Sequence, residues 1–569
     1  MNSFVIRIGG EAGWGIATAA DIIAKVFIKA GYHVFLHKEY ASQIKGGHNY
    51  HTIRVSSIPI AAPIEHVNVL LALDSATGEK HTTFVVDGGT IIFNDSVEIR
   101  TTKRNVHYVP LQITKIQQES IEKNVANAIF VGAAVKLCSI GYDILESVME
   151  DIFKHKPVLL ETFRTAVQKG YNSIEKSNTI NFPALKKSLS LGFYTGNDAI
   201  TQGALDAGIT FHAQYPMTPV SKILHNLAKD AITTEALTVV QPEDEIAAIN
   251  MALGASYAGA RAMTATSGGG FSLMVESVGL ASMAEIPLVL IEGQRPGPAT
   301  GIPTKTEQGD LSFVLSAGQG DFPRVVIAPG NVQECYTETK RAFYIAEKYQ
   351  LPVIVLVDTA VAESFVTVTL SDDLHIDFSQ RFNIINTVGN SQIKDGMFMR
   401  YEGEPLLRTV PGTKNGMYTC AGDEHTEVGC ITEDPTIRTS MMRRRMDKLN
   451  LIETELPPPE LYGSSDADVT VVCWGSTTSA VKEVVDTLNS EGKKINLLQM
   501  KYMCPFHTTT VHDILKKSKK TILIENNYSG QLGRLIKEQT GIAMHETITK
   551  YNGQPFTVDE VYKLIIQKW

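Results

Sequence analysis

The stretch Gln241-Pro-Glu-Asp-Glu-Ile-Ala-Ala-Ile-Asn-Met-Ala-Leu-Gly-Ala-Ser-Tyr-Ala-Gly-Ala-Arg-Ala-Met-Thr-Ala-Thr-Ser-Gly-Gly-Gly270 carries an acid, a helix of small residues, a short strand and a glycine loop in direct succession. Strand, glycine loop and helix in that order are the grammar of an α/β sheet that binds ligands at the carboxyl ends of its strands. The helix beginning at Glu245 is mostly Ala and Gly (Ala247, Ala248, Ala252, Gly254, Ala255, Ala258, Gly259) and has no wide polar face, so it is expected to be buried all round. A nearly bare helix lets backbone and ligand approach closely, and a carboxylate at its start is placed for proton transfer. Pro242-Glu-Asp-Glu is equally a good helix start, with acids at the positive end of the dipole, so Glu245 reads either as a cap or as a working acid.

The same rhythm extends in both directions. Upstream, Phe4–Ile8, a helix over 16–30, His33–Leu36, His51–Val55, Val67–Leu73 and Thr90–Phe93 predict an α/β sheet of the doubly wound kind over 1–183, ending in the polar linker Glu175-Lys-Ser-Asn-Thr-Ile-Asn-Phe-Pro. A second α/β block over 190–370 has strands Phe211–Gln214, Leu237–Val240, Ala262–Thr266, Leu288–Glu292, Arg324–Ile327 and Val353–Val357. Residues 371–462, richer in Gly, Pro and charge, read as a connecting arm. A third block over 463–569 has strands Val469–Trp474, Ile495–Gln499 and Thr521–Glu525. The fold class is therefore α/β in three domains, which suits 569 residues at roughly 100 to 200 per domain.

Composition narrows the function classes. The net charge of −9 with both signs dispersed offers no basic field for nucleic acid. No run approaches the roughly 20 apolar residues of a membrane span, and the N-terminus reads as a first strand, so a cytoplasmic location is expected. Six scattered cysteines with no C-x-x-C pair predict neither a disulfide framework nor a zinc or iron–sulfur ligand set.

Three further segments sit at strand ends. Tyr215-Pro-Met-Thr-Pro-Val-Ser sets two prolines about Thr218, which either presents its hydroxyl to a ligand or only stiffens a turn. Ser267-Gly-Gly-Gly and Gly9-Gly-Glu-Ala-Gly-Trp-Gly offer backbone amides at helix starts but match neither dinucleotide nor P-loop spacing. Glu292-Gly-Gln-Arg-Pro-Gly-Pro-Ala-Thr-Gly-Ile-Pro-Thr is a shaped loop with one fixed cation, Arg295, able to grip a carboxylate with two parallel bonds.

Taken in order, these segments resemble the α subunit of the 2-oxoacid:ferredoxin oxidoreductases with the family's γ domain fused in front. Tyr215-Pro-Met-Thr-Pro resembles the Tyr-Pro-Ile-Thr-Pro signature, and Gly9-Gly-Glu-Ala-Gly-Trp-Gly-Ile with Ser42-Gln-Ile-Lys-Gly-Gly-His resembles the two γ signatures. Gln294-Arg-Pro-Gly-Pro-Ala-Thr-Gly-Ile-Pro-Thr and Gly422-Asp-Glu-His-Thr-Glu-Val-Gly look most like the 2-oxoglutarate branch. The resemblance implies a pyrimidine-binding thiamine diphosphate domain, a transketolase C-terminal-like domain, and conversion of 2-oxoacid, coenzyme A and oxidised ferredoxin to acyl-CoA, carbon dioxide and reduced ferredoxin.

By that resemblance, Glu245 meets the aminopyrimidine with Tyr215, Pro216, Gly268 and Gly269 around the cofactor; Thr218, Arg295 and Thr304 hold substrate; and Gly10, Gly13, Gly15, Lys45, Gly46 and Gly47 are candidates for coenzyme A. Met217 and Val220 depart from the signature, and Val220 puts the pocket's polarity in question. The family's Gly-Asp-Gly anchor and cluster cysteines have no counterpart here. The resemblance places both, with Mg2+ and the [4Fe-4S] cluster, on a β subunit in an (αβ)2 assembly, and the acidity of this chain directs ferredoxin to that partner. Pyruvate, branched-chain or aryl 2-oxoacids are the alternative substrates; a non-catalytic dinucleotide-binding module is the alternative of another class.

Overall fold

The computed structural model describes residues 3–41, 47–99, 103, 105–113, 126–175, 179–180, 191–403 and 406–569. They divide into two compact units: residues 1–194 with 363–369 and 557–560, and residues 195–362 with 370–556 and 561–569. Much of the linker read around residue 183 lies outside the described residues. No described helix is long and apolar enough to cross a membrane.

The first unit is built on one mixed sheet. Its strands run in the order His107–Leu111, Val85–Asn94, Val67–Ala72, Ser3–Glu11, His48–Ser56, His33–Glu39, Phe365–Val368, Gly192–Tyr194. Ser3–Glu11 pairs parallel with Val67–Ala72 and antiparallel with His48–Ser56, so the sheet changes character at its central strand. Phe365–Val368, which lies in the sequence stretch assigned to the second block, joins this sheet beside His33–Glu39. Two helices, Ala126–Leu137 and Pro157–Asn172, meet backbone to backbone: a Cβ on Gly132 would lie 2.0 Å from Val167 O, and one on Gly170 2.0 Å from Ile129 O. Only glycine at both positions permits that approach.

The second unit holds two sheets. The seven-stranded one runs Tyr502–Cys504, Val325–Ile327, Pro352–Asp358, Leu288–Gln294, Ala262–Ser267, Phe211–Ala213, Thr238–Val240, all parallel except the first. Its three longest strands, Ala262–Ser267, Leu288–Gln294 and Pro352–Asp358, are buried at every position, as parallel strands covered on both faces must be. The five-stranded sheet runs Leu461–Gly463, Ile495–Gln499, Val469–Cys473, Thr521–Glu525, Glu546–Thr549. One apolar core joins the two, with Leu288, Ile354 and Leu356 in the same cluster as Val472, Trp474, Leu498 and Leu523.

The segment read as a connecting arm contains the helix Pro435–Glu455 and is tied to the seven-stranded sheet's helices through buried charge. Glu347 receives Arg261 Nε at 3.0 Å and Arg381, with Arg408 at 4.0 Å. The remaining Arg261 donors reach the carbonyls of Ala207, Phe378 and Gln380. Further along, Glu285 takes Lys448 and Arg444, whose charges hold its carboxyl down at about 2 against the cost of its burial. Glu347→Gln leaves two buried guanidinium groups, Arg261 and Arg408, and the partly exposed Arg381 without that counter-charge, and we expect it to lower unfolding stability by about 3 kcal/mol or more. An unchanged urea midpoint would refute that.

His212, fully buried on Phe211–Ala213 with its Nε2 2.9 Å from Gln214 Oε1, has its pKa lowered by burial from 6.5 to about 4. As pH falls, the unfolded chain therefore takes up this proton first. Stability from this site is complete above about pH 6.5 and declines toward pH 4, at up to about 1.4 kcal/mol per pH unit. Urea titrations at pH 7.0 and 5.0 should show the decline in the native chain and a smaller one in His212→Gln.

Candidate active site

Thr218, Glu245, Gly268, Gly269 and Arg295 converge at the carboxyl ends of three adjacent parallel strands, Phe211–Ala213, Ala262–Ser267 and Leu288–Gln294. Side chains inside these strands are packed, so polar groups can gather only where the strands stop.

The ambiguity at Glu245 is resolved by its neighbour. Asp244 is the cap of the helix Glu245–Tyr257, accepting from Ala247 N at 2.8 Å. Glu245 instead turns inward, 5% exposed, with Oε1 buried and given no hydrogen-bond partner by any described residue. It lies against Gly270 and Thr266, because a Cβ on Gly270 would sit 2.1 Å from Thr266 Oγ1 and 2.6 Å from Glu245 Cγ. Ser267 heads the helix Gly268–Met283 without a side-chain cap, and its Oγ and that of Thr264 are also buried and unpartnered.

The expectation that the Glu245 helix is buried all round is corrected. Ile246 is 49% and Met251 40% exposed, and Leu273 on the neighbouring helix is 52% exposed. Asn250 Nδ2 donates to Ser277 Oγ at 3.1 Å, which fixes the two helices side by side and puts Ile246 and Leu273 one turn back from that bond on each. Small residues here leave one flank bare in the single chain.

Arg295 Nη1 donates to the carbonyl of Thr218 at 2.9 Å, so the proline-flanked turn and the cationic loop meet through backbone, leaving the Thr218 hydroxyl out of that bond. The Thr218–Pro219 and Gly297–Pro298 bonds are cis. Ile302 N closes the loop on Pro296 O at 3.0 Å and carries Thr304 on the turn that follows. Tyr215 is 38% exposed and Pro216 half-buried. Val220 is fully buried, its Cγ1 2.7 Å from where a Cβ on Gly293 would be, so it packs on the sheet and does not set the pocket's polarity.

Two acids join this group that residue patterns alone did not single out. Glu292 is fully buried, and burial together with the adjacent Asp310 carboxylate pushes its pKa well above the ordinary range. Burial raises Asp310 as well, against the opposing effects of its bond to Glu292 and the Arg295 charge. The available signal was an acid closing the apolar run Leu288-Val-Leu-Ile. Asp310 is fixed through its backbone N–H, 3.1 Å from Gln294 Oε1, and its Oδ2 is 2.6 Å from where a Cβ on Gly268 would lie.

In the first unit, Ala12 N donates to Gly47 O at 3.2 Å, which joins the two glycine signatures. Gly13 (φ 93°) is exposed, and Gly15 (φ 71°) heads the helix Ile16–Lys29. Gly10 lies buried within the first strand, where Ile16 and Leu73 occupy the room a side chain would need. Gly9 and Gly10 are therefore strand residues, not part of a loop at a helix start as the sequence suggested. Lys45 and Gly46 lie outside the described residues.

Gly270→Ala drives a methyl group into Glu245 and Thr266. We expect turnover of the assembled protein to fall about a hundredfold, since a displacement of about 1 Å at a reacting group costs that much. A Gly270→Ala protein with native turnover would show that Glu245 does not act from this position.

Three family models match the chain: "Pyruvate ferredoxin/flavodoxin oxidoreductase" over residues 5–173, "Pyruvate flavodoxin/ferredoxin oxidoreductase, thiamine diP-bdg" over 202–405, and "Pyruvate:ferredoxin oxidoreductase core domain II" over 467–561. The 2-oxoacid:ferredoxin oxidoreductase subunit alpha of a Sulfolobus species is 32% identical, across 98% of this chain and 96% of its own length. The 2-oxoglutarate synthase subunit KorA of Methanothermobacter marburgensis is 31% identical, over 66% of this chain and 98% of itself. The solved 2-oxoglutarate:ferredoxin oxidoreductase of Magnetococcus marinus, with 2-oxoglutarate, coenzyme A and succinyl-CoA bound, superposes with a TM-score of 0.91 at 30% identity, covering all of both chains. A buried, unpartnered acid at the ends of parallel strands, a cationic loop beside it and relatives matched end to end lead to one conclusion: the chain belongs to the 2-oxoacid:ferredoxin oxidoreductases, as an alpha subunit.

Proposed function

We propose that this subunit, with its γ-type domain fused in front, works in the oxidative decarboxylation of 2-oxoglutarate to succinyl-CoA and carbon dioxide, the two electrons passing to ferredoxin. The observation that carries the reading is the inward, orphaned carboxylate of Glu245 beside the glycines of the Gly268 helix, on a helix whose exposed flank a second chain can cover. The 2-oxoglutarate preference is supported by the names of the KorA relatives and of the Magnetococcus marinus protein.

These residues fit one half of thiamine diphosphate. An aminopyrimidine nitrogen would meet Glu245 Oε1, with Tyr215, Pro216, Gly268 and Gly269 as the neighbouring wall. Thiamine diphosphate, when bound, supplies the electron sink for loss of the 2-oxoacid carboxylate. Glu245 holds or releases the proton at that nitrogen. Arg295 pairs with the substrate carboxylate in a partly desolvated loop, and the hydroxyls of Thr218 and Thr304 orient carboxylate and keto oxygen. Burial lowers the Arg295 pKa, and the neighbouring Asp310 and Glu292 carboxyl groups oppose that shift. One guanidinium serves one carboxylate, so the second carboxylate of 2-oxoglutarate draws its cation from another residue or chain.

The fit stops at the aminopyrimidine. The chain has no Gly-Asp-Gly, and no cluster of His, Cys, Asp and Glu among the described residues is arranged for a metal. We assign the diphosphate, Mg2+ and a [4Fe-4S] cluster to a β subunit docked on the flank of Ile246, Met251 and Leu273, in an (αβ)2 assembly. Ferredoxin reaches that partner, since an acidic acceptor is repelled by a chain of net charge −9. Coenzyme A enters by way of the γ-type domain, with Gly13, Gly15 and Gly47 at its glycine loops.

The test is the co-expressed complex assayed with 2-oxoglutarate, pyruvate, branched-chain and aryl 2-oxoacids, coenzyme A and a redox dye. We expect the highest kcat/KM with 2-oxoglutarate, no turnover by this chain alone, and about a hundredfold loss of kcat/KM in Arg295→Lys, which cannot form two parallel bonds. A preference for another 2-oxoacid overturns the substrate assignment.

A further inference from the structure

The five-stranded C-terminal sheet contributes none of the residues assigned above to cofactor or substrate, yet it grips the segment that carries two of the site's groups. Gln308 lies between Thr304 and Asp310 and is fully buried. Each of its hydrogen-bonding positions is used. Its Nε2 donates to Trp474 O at 2.8 Å and to Asp358 Oδ2 at 3.2 Å. Its Oε1 accepts from Asn526 N at 2.9 Å and Thr477 Oγ1 at 3.3 Å. Its backbone N donates to Asn526 O at 2.7 Å, and its carbonyl accepts from Asn527 Nδ2 at 3.0 Å.

Two more clasps lie on either side. Thr306 N donates to Gly553 O at 3.2 Å. Gln531 spans the far end, its Nε2 donating to Gly309 O at 2.6 Å while its Oε1 accepts from Ser312 N at 2.8 Å. Behind the clasps stands a second buried carboxylate, Glu525, which accepts from Trp474 Nε1, Asn527 Nδ2 and Leu532 N at 3.0, 3.1 and 2.8 Å. Trp474 and Asn527 thus touch Gln308 and Glu525 at once, so Glu525 fixes the partners of Gln308. Apart from Asn526 Oδ1, the polar groups of this network are satisfied, and such a network in an otherwise apolar core specifies one arrangement of the segments it joins.

The clamped segment leads straight to the site. Asp310, one residue beyond Gly309, is held on Gln294, the residue before Arg295, and is one of the charges acting on Arg295. A shift of the segment moves Asp310 relative to Arg295 and carries Thr304 with it. No other described interaction in the segment is comparably dense, and none of these bonds serves to close the C-terminal sheet itself, whose strands pair without them.

We propose that Gln308 and Gln531 are positioning residues for the 2-oxoacid grip: through them the C-terminal sheet sets where Thr304, Asp310 and Arg295 stand. The proposal rests on the assignment of Thr304 and Arg295 to the substrate. Its function is to make 2-oxoacid affinity a property of two domains, with the proton chemistry at Glu245 left to the seven-stranded sheet alone.

The experiment uses the complete complex. Gln531 is only half-buried, so Gln531→Ala removes the bonds to Gly309 and Ser312 with less risk to folding than a change at Gln308, and Gln308→Ala is the second variant. We expect KM for 2-oxoglutarate to rise about tenfold in Gln531→Ala and further in Gln308→Ala, with kcat within about twofold and KM for coenzyme A unchanged. Tyr462→Phe, which removes a surface bond to Asp486 in the same sheet, should leave all three constants alone. A lowered thermal midpoint with unchanged 2-oxoacid KM in Gln531→Ala marks a merely structural role and overturns the proposal. Thr304→Ala is assayed in parallel. A raised KM there beside an unchanged one in Gln531→Ala overturns the clamp and leaves the substrate assignment standing; unchanged KM in both overturns both.

Discussion

Three parallel strands, Ala262–Ser267, Leu288–Gln294 and Pro352–Asp358, are sealed on both faces, and every polar group they carry has to be dealt with at their carboxyl ends. Asp358 is settled by Ser476 N, Val361 N and Gln308. Gln294 takes Asp310 N. Burial pushes the Glu292 pKa well above the ordinary carboxylate range. Ser267 Oγ, Thr264 Oγ1 and Glu245 Oε1, with Gln294 Nε2 and both Glu292 carboxyl oxygens, are buried and without a hydrogen-bond partner among the described residues of the single chain. An orphaned polar atom deep in a protein is costly, and its persistence beside glycines that keep space open marks where a ligand belongs.

The same constraint explains why the polypeptide outside the seven-stranded sheet is arranged as it is. The arm residues Arg381, Arg400, Arg408 and Arg444 and Lys448 bring cations to Glu347 and Glu285, acids that end up inside once helices cover the sheet. The C-terminal sheet supplies amides and carbonyls to Gln308 and Asp358. Each addition satisfies groups that the sheet alone would leave buried and bare, and the common apolar core makes the two sheets one unit.

Charge is distributed along functional lines. Around the Arg295 loop, burial raises the pKa of Glu292 and of Asp310 and lowers that of Arg295. Glu245 lies against Thr266, two strands away in the sheet order from Pro352–Asp358.

Periodicity and turn chemistry in the sequence determined the α/β class and most central strands to within a residue or two, whereas Thr218 and Glu245 were left open between site and turn or cap until the family resemblance grouped them with Arg295. Ile495–Gln499 and Thr521–Glu525 were readable to the residue. Edge strands such as Phe365–Val368 and Tyr502–Cys504 were not, since short edges owe their pairing to neighbours far away in the chain. That Asp244 and not Glu245 caps the helix was decided only by tertiary structure. The bare flank of that helix, the burial of Glu292 and the grip on Gln308 were likewise settled in three dimensions. Burial and hydrogen bonding between segments hundreds of residues apart leave no trace in local composition, and those are the forces that set them.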